Sequence, residues 1–481
     1  MRPIFDGGFG GPSIYVPVKL GKKRPARAVE AVEEHALCSH TAVVIDQSSS
    51  RQRSLAPISL ALVALVGIAS PTSAQHQNHS MAEMPGDTLT SSPTTPSRQV
   101  SDSAIVADSL LSVCKAYKSD SIDAYSTCIG DGIASLSSAG NIAVAMGTLD
   151  LVVHTDPSLV LVAHPLAHAL GYAVRSTPLT ATRLLSECDE RYQSGCYHGI
   201  LQRYFDARMG MPIAQSVLLA PCDGLRGTSE QFRLFDCLHG MGHGLMMYHR
   251  YDVNAALTDC DRLASDWDQR SCYSGVFMEH NTGVRMQVFG DGKLGMHRHS
   301  MPAAGVVLFK PNDLHYPCDA TPARYRRECY ELQSDLILPA VNQDYRKASA
   351  VCDAAGSPDF VRECYVGLGR NASGGSAFQY DGIRRRCDQA SPVGVPFCYQ
   401  GAVRHLSYAP GELPRGTAFC KSLPEGETRI RCWDGLGLQI GGFFSDSASR
   451  QRACQSEIPR DVAACVEGAG VPHSLPVRDR P

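Results

Sequence analysis

The sequence predicts an all-α fold, an α-solenoid of about ten disulfide-stapled helix-hairpin repeats. Three observations predict it. Of 19 cysteines, all but Cys38 fall into nine local pairs. The first cysteines of successive pairs from Cys318 onward stand 34, 35, 33 and 34 residues apart. The second cysteine of most pairs opens one recurring phrase: cysteine, an often aromatic residue, any residue, glycine.

The predicted bridges join Cys114 to Cys128, Cys188 to Cys196, Cys222 to Cys237, Cys260 to Cys272 and Cys318 to Cys329. The remaining four join Cys352 to Cys364, Cys387 to Cys398, Cys420 to Cys432 and Cys454 to Cys465, and 7 to 14 residues separate the partners throughout. A period near 34 is the length of one helix–turn–helix unit in stacked helical repeats. The spacing therefore predicts that the first cysteine lies near the end of helix A and the second near the start of helix B, with the bridge clamping the turn. Glycine in the phrase, as in Cys196-Tyr-His-Gly199, has no Cβ and lets two helix backbones approach. Metal-binding cysteine pairs would need C-x₂-C-type spacing, which is absent.

Two irregularities interrupt the period. The 74 residues from Cys114 to Cys188 leave room for a repeat without cysteines at about 140–175. The 58 residues from Cys260 to Cys318 imply a Gly-rich insertion at 282–312. The array thus divides into a His/Met-rich part, 106–315, and a part without that cluster, 316–470.

The N-terminal region points to export. Residues 51–74 read as Arg-Gln-Arg, an apolar run from Leu55 to Ala69, then small residues before Gln75, the layout of a signal peptide. The run is shorter than the ~20 residues a membrane span needs, so no stable span is expected. Residues 1–50 are read as an upstream extension and 75–105 as a disordered tail, rich in His and Met and then in Ser, Thr and Pro. Residues 471–481 form a closing tail. Paired cysteines and a leader together place the mature chain in the periplasm or outside the cell. A net charge of -3 without basic runs excludes nucleic acid as a main partner.

Phrases such as Leu185-Ser-Glu-Cys188 with Gly195-Cys196-Tyr-His-Gly199 resemble the repeat boundaries of secreted, cysteine-rich Sel1-like proteins, relatives of tetratricopeptide repeats. The resemblance covers residues 106–470 and implies stacked αα-hairpins, each with its own staple. It departs from the family in its variable cysteine spacing and in lacking most of the family's regular Ala/Gly pattern, and it implies the fold more than any activity.

Chemistry concentrates in the first half. Two residues after the second cysteine stand His198 and His239, and His243 follows one turn later. In the cysteine-free repeat, Val162-Ala-His164-Pro-Leu-Ala-His168 repeats this layout with Val162 in the cysteine's place. Positions i and i+4 share a helix face, so each His-x₃-His offers two imidazoles to one ion. The next unit adds Glu279 and His280, and the insertion adds His297 and His299. The expected metal ligands are His164, His168, His198, His239, His243 and His280, with Glu279 as ligand or general base.

Nine of 13 methionines lie between 209 and 301, a bias toward copper; imidazole with carboxylate suits zinc, and iron as well. Neighbouring helices packed at 8–10 Å would put helices two repeats apart roughly 20 Å from each other. One site drawing on both histidine pairs therefore requires a tightly curled array; otherwise there are two sites. Imidazole ligates when neutral, so affinity is expected to fall below about pH 6.5. His405, far along the chain, is expected to be unrelated. Three functions stay open: a metal-dependent enzyme, a copper- or zinc-handling protein without catalysis, and a metal-free scaffold with a protein or peptide partner on the solenoid face.

Overall fold

The computed structural model describes residues 96–470 apart from 176–179, 228–230, 290–301 and 457. The leader expected at 51–74, Cys38, most of the 75–105 tail, His297, His299 and residues 471–481 lie outside the described residues.

Nineteen α-helices and no strand form among the described residues. The first half holds α1 (Pro96–Lys118), α2 (Ile122–Ser138), α3 (Ile142–Thr155), α4 (Ala163–Tyr172), α5 (Ala181–Leu185), α6 (Gly195–Asp206), α7 (Gln215–Asp223), α8 (Gln231–Tyr248), α9 (Val253–Cys260) and α10 (Asp266–Val284). The second holds α11 (Arg326–Ala340), α12 (Tyr345–Asp353), α13 (Pro358–Gly374), α14 (Tyr380–Cys387), α15 (Val395–Leu406), α16 (Leu413–Lys421), α17 (Glu427–Phe443), α18 (Ser447–Ala453) and α19 (Pro459–Gly468). Helix α1 begins at Pro96, inside the segment read from the sequence as tail. Side-chain caps mark several starts: Ser265 accepts from the Asp268 amide at α10, and Asp252 from the Ala255 amide at α9.

All nine nearest-neighbour bridges form, with Cα–Cα distances from 5.4 to 5.8 Å. In the first half Cys114 is bonded to Cys128, Cys188 to Cys196, Cys222 to Cys237 and Cys260 to Cys272. In the second half Cys318 is bonded to Cys329, Cys352 to Cys364, Cys387 to Cys398, Cys420 to Cys432 and Cys454 to Cys465. Each closes a short loop and contributes about 2–3 kcal/mol in the chain-entropy account.

The structure refines where the second cysteine sits. Only Cys196 falls in the first turn proper, next to the start of α6 at Gly195. Cys329 and Cys398 lie a turn inside α11 and α15. Cys128, Cys237, Cys272, Cys364, Cys432 and Cys465 lie deeper still, close to two turns inside α2, α8, α10, α13, α17 and α19. The bridge therefore fastens the body of helix B to the preceding element rather than its tip. Cys318 is an exception on the other side, because it sits in a turn after the insertion, with no α-helix of its own before α11. Nine internal bridges suit an oxidising compartment. Among the described residues no helix is long and apolar enough to cross a membrane.

Each long helix packs on the next: α4 on α6, α6 on α8 and α8 on α10, then α11, α13, α15, α17 and α19 in succession. Glycine sets how close they come. A Cβ on Gly199 would land on the His168 carbonyl oxygen, and one on Gly171 on the Cys196 carbonyl oxygen. Gly242 and Gly275 form the same reciprocal pair between α8 and α10, against the carbonyls of Cys272 and His239. Three glycines inside α8 (Gly240, Gly242 and Gly244) cost its helix about 1 kcal/mol each relative to alanine. Backbone-to-backbone packing on both sides, with Gly240 against His198 and Gly244 against Leu201, offsets that loss.

The chain also returns on itself. Phe232 of α8 meets Phe443 of α17 at 5.1 Å between ring centroids and Tyr408 at 5.7 Å. The Tyr408 hydroxyl donates to Asp236 Oδ1 at 3.3 Å, and Asp236 Oδ2 is buried without a partner. Burial pushes this carboxyl up to about 8, opposed by the Ser194 and Tyr408 hydroxyls and by Arg233, and helped by Glu190. The unfolded value is near 4. Asp236 therefore binds a proton on folding, so its contribution is fully present below about pH 4 and lost as pH rises through 8. Between pH 6 and 8.5 this amounts to a loss on the order of 3 kcal/mol. Thermal melts should show wild-type stability falling over that range more steeply than that of Asp236→Asn, and parallel curves would refute the assignment.

Candidate metal centre

The helices that approach through glycine are the ones that carry the histidines. His164 and His168 stand one turn apart on α4, His198 on α6, His239 and His243 one turn apart on α8, and Glu279 on α10. The close spacing brings both His-x₃-His pairs together, with the His168 and His243 rings 5.7 Å apart between centroids. His198 lies between the pairs, 5.1 Å from His168 and 4.8 Å from His243. Burial is nearly complete: His198 is 1 % exposed, His243 2 %, His239 3 % and His168 5 %.

The hydrogen-bond network assigns the ring protons. His164 Nδ1 is 2.6 Å from the Tyr192 carbonyl oxygen, and His243 Nδ1 is 2.9 Å from Glu279 Oε2. His168 Nδ1 is 3.1 Å from Gln202 Oε1, whose amide nitrogen donates to Glu279 Oε2 at 3.0 Å. His239 Nδ1 is 2.7 Å from Ser274 Oγ, a hydroxyl that donates its own proton to the Ser271 carbonyl. All four partners accept at these contacts, which places a proton on Nδ1 of each ring; in the neutral ring Nε2 then carries the lone pair.

Those lone pairs point at one another. Nε2 of His164 and Nε2 of His168 are 3.1 Å apart, and Nε2 of His239 and Nε2 of His243 are 3.2 Å apart. Two lone pairs at this distance repel unless a cation lies between them. Two nitrogens bound tetrahedrally to one ion at about 2.0–2.1 Å are themselves about 3.3–3.4 Å apart. The donors fall into two triads that share one residue, His164–His168–His198 and His198–His239–His243, each with its ligand atoms within 4.8 Å of one another. Either triad could hold a metal ion.

Electrostatics favours the neutral, ligating form of two of the rings. Burial, and next the neighbouring histidines, hold His198 and His239 well below the ordinary histidine value. Burial and then Glu279 push the Tyr251 hydroxyl well above its usual range; it donates to Glu279 Oε1 at 3.0 Å. Glu279 is 1 % exposed and accepts from His243, Gln202 and Tyr251, so it stands behind the ligands and orients them. Glu279→Gln should weaken metal binding about 10- to 100-fold, the usual cost of such a partner. A chelator-competition titration measures this; affinity unchanged within a factor of two would show that Glu279 does not act on the site.

His280, next in sequence to Glu279, is buried but turns elsewhere, its Nδ1 3.1 Å from Asn281 Oδ1. Met241, Met246 and Met247 are buried in the core. Gln202 and Ser274 were not among the expected site residues, yet they occupy the histidine register: Gln202 stands four residues after His198, and Ser274 two after Cys272. His405 is not unrelated to the site. Its Nε2 is 2.7 Å from Gln193 Nε2, and Gln193 adjoins Tyr192, whose carbonyl holds His164. In the second half the same register carries ion pairs, Arg404 with Glu331 at 2.9 Å and Arg370 with Asp335 at 2.5 Å. Compared with known proteins, the chain matches no family model, no curated protein and no solved structure.

Proposed function

We propose that this protein is an exported metalloprotein whose buried histidine cluster holds a resident transition metal. His164, His168, His198, His239 and His243 are the ligands, and Glu279 supplies compensating charge behind them. One observation carries the reading: two pairs of Nε2 lone pairs face each other at 3.1 and 3.2 Å, with all four Nδ1 protons already committed to outside acceptors.

The donors are imidazole nitrogens, which suits copper(II) and zinc. Deep burial, a fixed outer ring of acceptors and a carboxylate behind the ligands fit a centre that keeps its ion better than a site that passes ions on. The scaffold is proposed as a solenoid of about ten hairpins similar to Sel1-like repeats, exported through the leader at 51–74.

Elemental analysis of the oxidised, purified protein tests the reading. Stoichiometric copper or zinc is expected, and its removal by a chelator should lower the melting temperature, because an ion that binds only the folded state stabilises it. Absence of stoichiometric metal, together with no thermal shift when copper or zinc is added, would overturn the proposal.

A further inference from the structure

We propose that the cluster is dinuclear and that His198 bridges the two ions, one bound at each ring nitrogen. The inference rests on the metal-binding reading above and deepens it.

His198 differs from the other four histidines in its surroundings. Each of those four has Nδ1 tied to an acceptor outside the cluster, which leaves one nitrogen for a metal. His198 has no such tie. Its Nδ1 faces the first pair, 3.2 Å from His168 Nε2. Its Nε2 is fully buried and has no hydrogen-bond partner. Leaving a buried ring nitrogen without a partner is unfavourable, and a metal bond would satisfy it.

The donor arrangement agrees. The two sets of mutually close donors have His198 as their single common member. One ion drawing on all five histidines would instead bring all five donors to one point. An imidazole with a metal at each nitrogen, at bonds of about 2.0–2.1 Å, holds the ions about 6 Å apart. Each ion then receives two Nε2 donors from a His-x₃-His pair and one nitrogen from His198, three protein ligands with a coordination position left open. The proton balance is simple. Binding of the second ion displaces the remaining ring proton of His198 to solvent, and His198 becomes an imidazolate.

Copper(II) is the probe, because exchange through an imidazolate couples two copper spins. Metal-free protein is titrated with copper(II) alone, and stoichiometry and electron paramagnetic resonance are followed together. Two copper ions per chain are expected, with the isolated-copper signal growing to one equivalent and then declining as the second ion binds. His198→Gln, which keeps the volume and loses the bridge, should leave any bound copper magnetically uncoupled. Its circular dichroism reports whether it folds, and the wild-type titration decides without it. Saturation at one copper, or two ions with uncoupled signals, overturns the bridge and leaves the metal-binding reading standing. No bound copper and no bound zinc overturns both.

Discussion

Replacing His239 and His243 together with alanine is expected to strip the metal held with His198 and to leave the chain folded. Both side chains sit on α8 with their Nε2 atoms 3.2 Å apart, so the pair is two of the three donors of one triad. Structural zinc sites bind with roughly 10–16 kcal/mol over four ligands, or about 3 kcal/mol per ligand. Losing two should weaken that ion by roughly four orders of magnitude. The bridges Cys222–Cys237 and Cys260–Cys272 that clamp α8 and α10 are untouched. Glu279 keeps its hydrogen bonds from Gln202 and Tyr251. His154→Ala is the control, since that imidazole is 75 % exposed and faces Asp150 one turn back on its own helix. His405 would be a poor control because of its contact with Gln193. Competition against a chelator measures the effect, and a double variant with wild-type metal content contradicts the assignment.

Gly275→Ala is expected to damage both fold and site although it adds one methyl group and changes no ligand. The added Cβ would fall on the His239 carbonyl oxygen and 3.1 Å from the Gly242 Cα, all of it backbone that cannot swing aside. Helices α8 and α10 must then separate, which costs about 1–3 kcal/mol beyond the ~1 kcal/mol that alanine returns to the helix. Separation also pulls His239 from Ser274 and His243 from Glu279, contacts that span the same two helices. Metal affinity should therefore fall at least tenfold along with stability. Gly442, in α17, has nothing within 4 Å of its Cβ position, so alanine there should be neutral or slightly stabilising. Equal melting temperatures for the two variants would mean that glycine does not set the helix spacing.

The staples were legible because a short bridge leaves its mark in local spacing: nine cysteine pairs at a steady period admit one simple pairing. How far each bridge reaches into its second helix was not, because the helices at Cys128, Cys364 and Cys465 begin well before the cysteine, at a position that spacing alone does not mark. The histidine register was legible, since His164, His198 and His239 occupy one position of the repeat. Convergence of the first and third of these repeats was not. At ordinary helix spacing the two pairs would lie far apart, and only backbone contact at Gly171, Gly199, Gly240 and Gly244 closes the distance. Adjacent residues on a helix point about 100° apart, so Glu279 reaches the cluster and His280 does not. Gln202 and Ser274 held the right register but are not ligand types, and their role behind the ligands shows only in three dimensions. Nothing local announces that Gln193 meets His405, because that contact comes from the chain's return across 212 residues.

An anomalous difference map from crystals of the oxidised protein, collected on either side of the copper or zinc absorption edge, tests the central claim most directly. Density is expected about 2 Å from the facing Nε2 atoms of His164 and His168, or of His239 and His243, with each Nδ1 still turned to its outer acceptor. A metal-replete crystal with anomalous density elsewhere, and with water or a direct ring-to-ring hydrogen bond between those nitrogens, would contradict it.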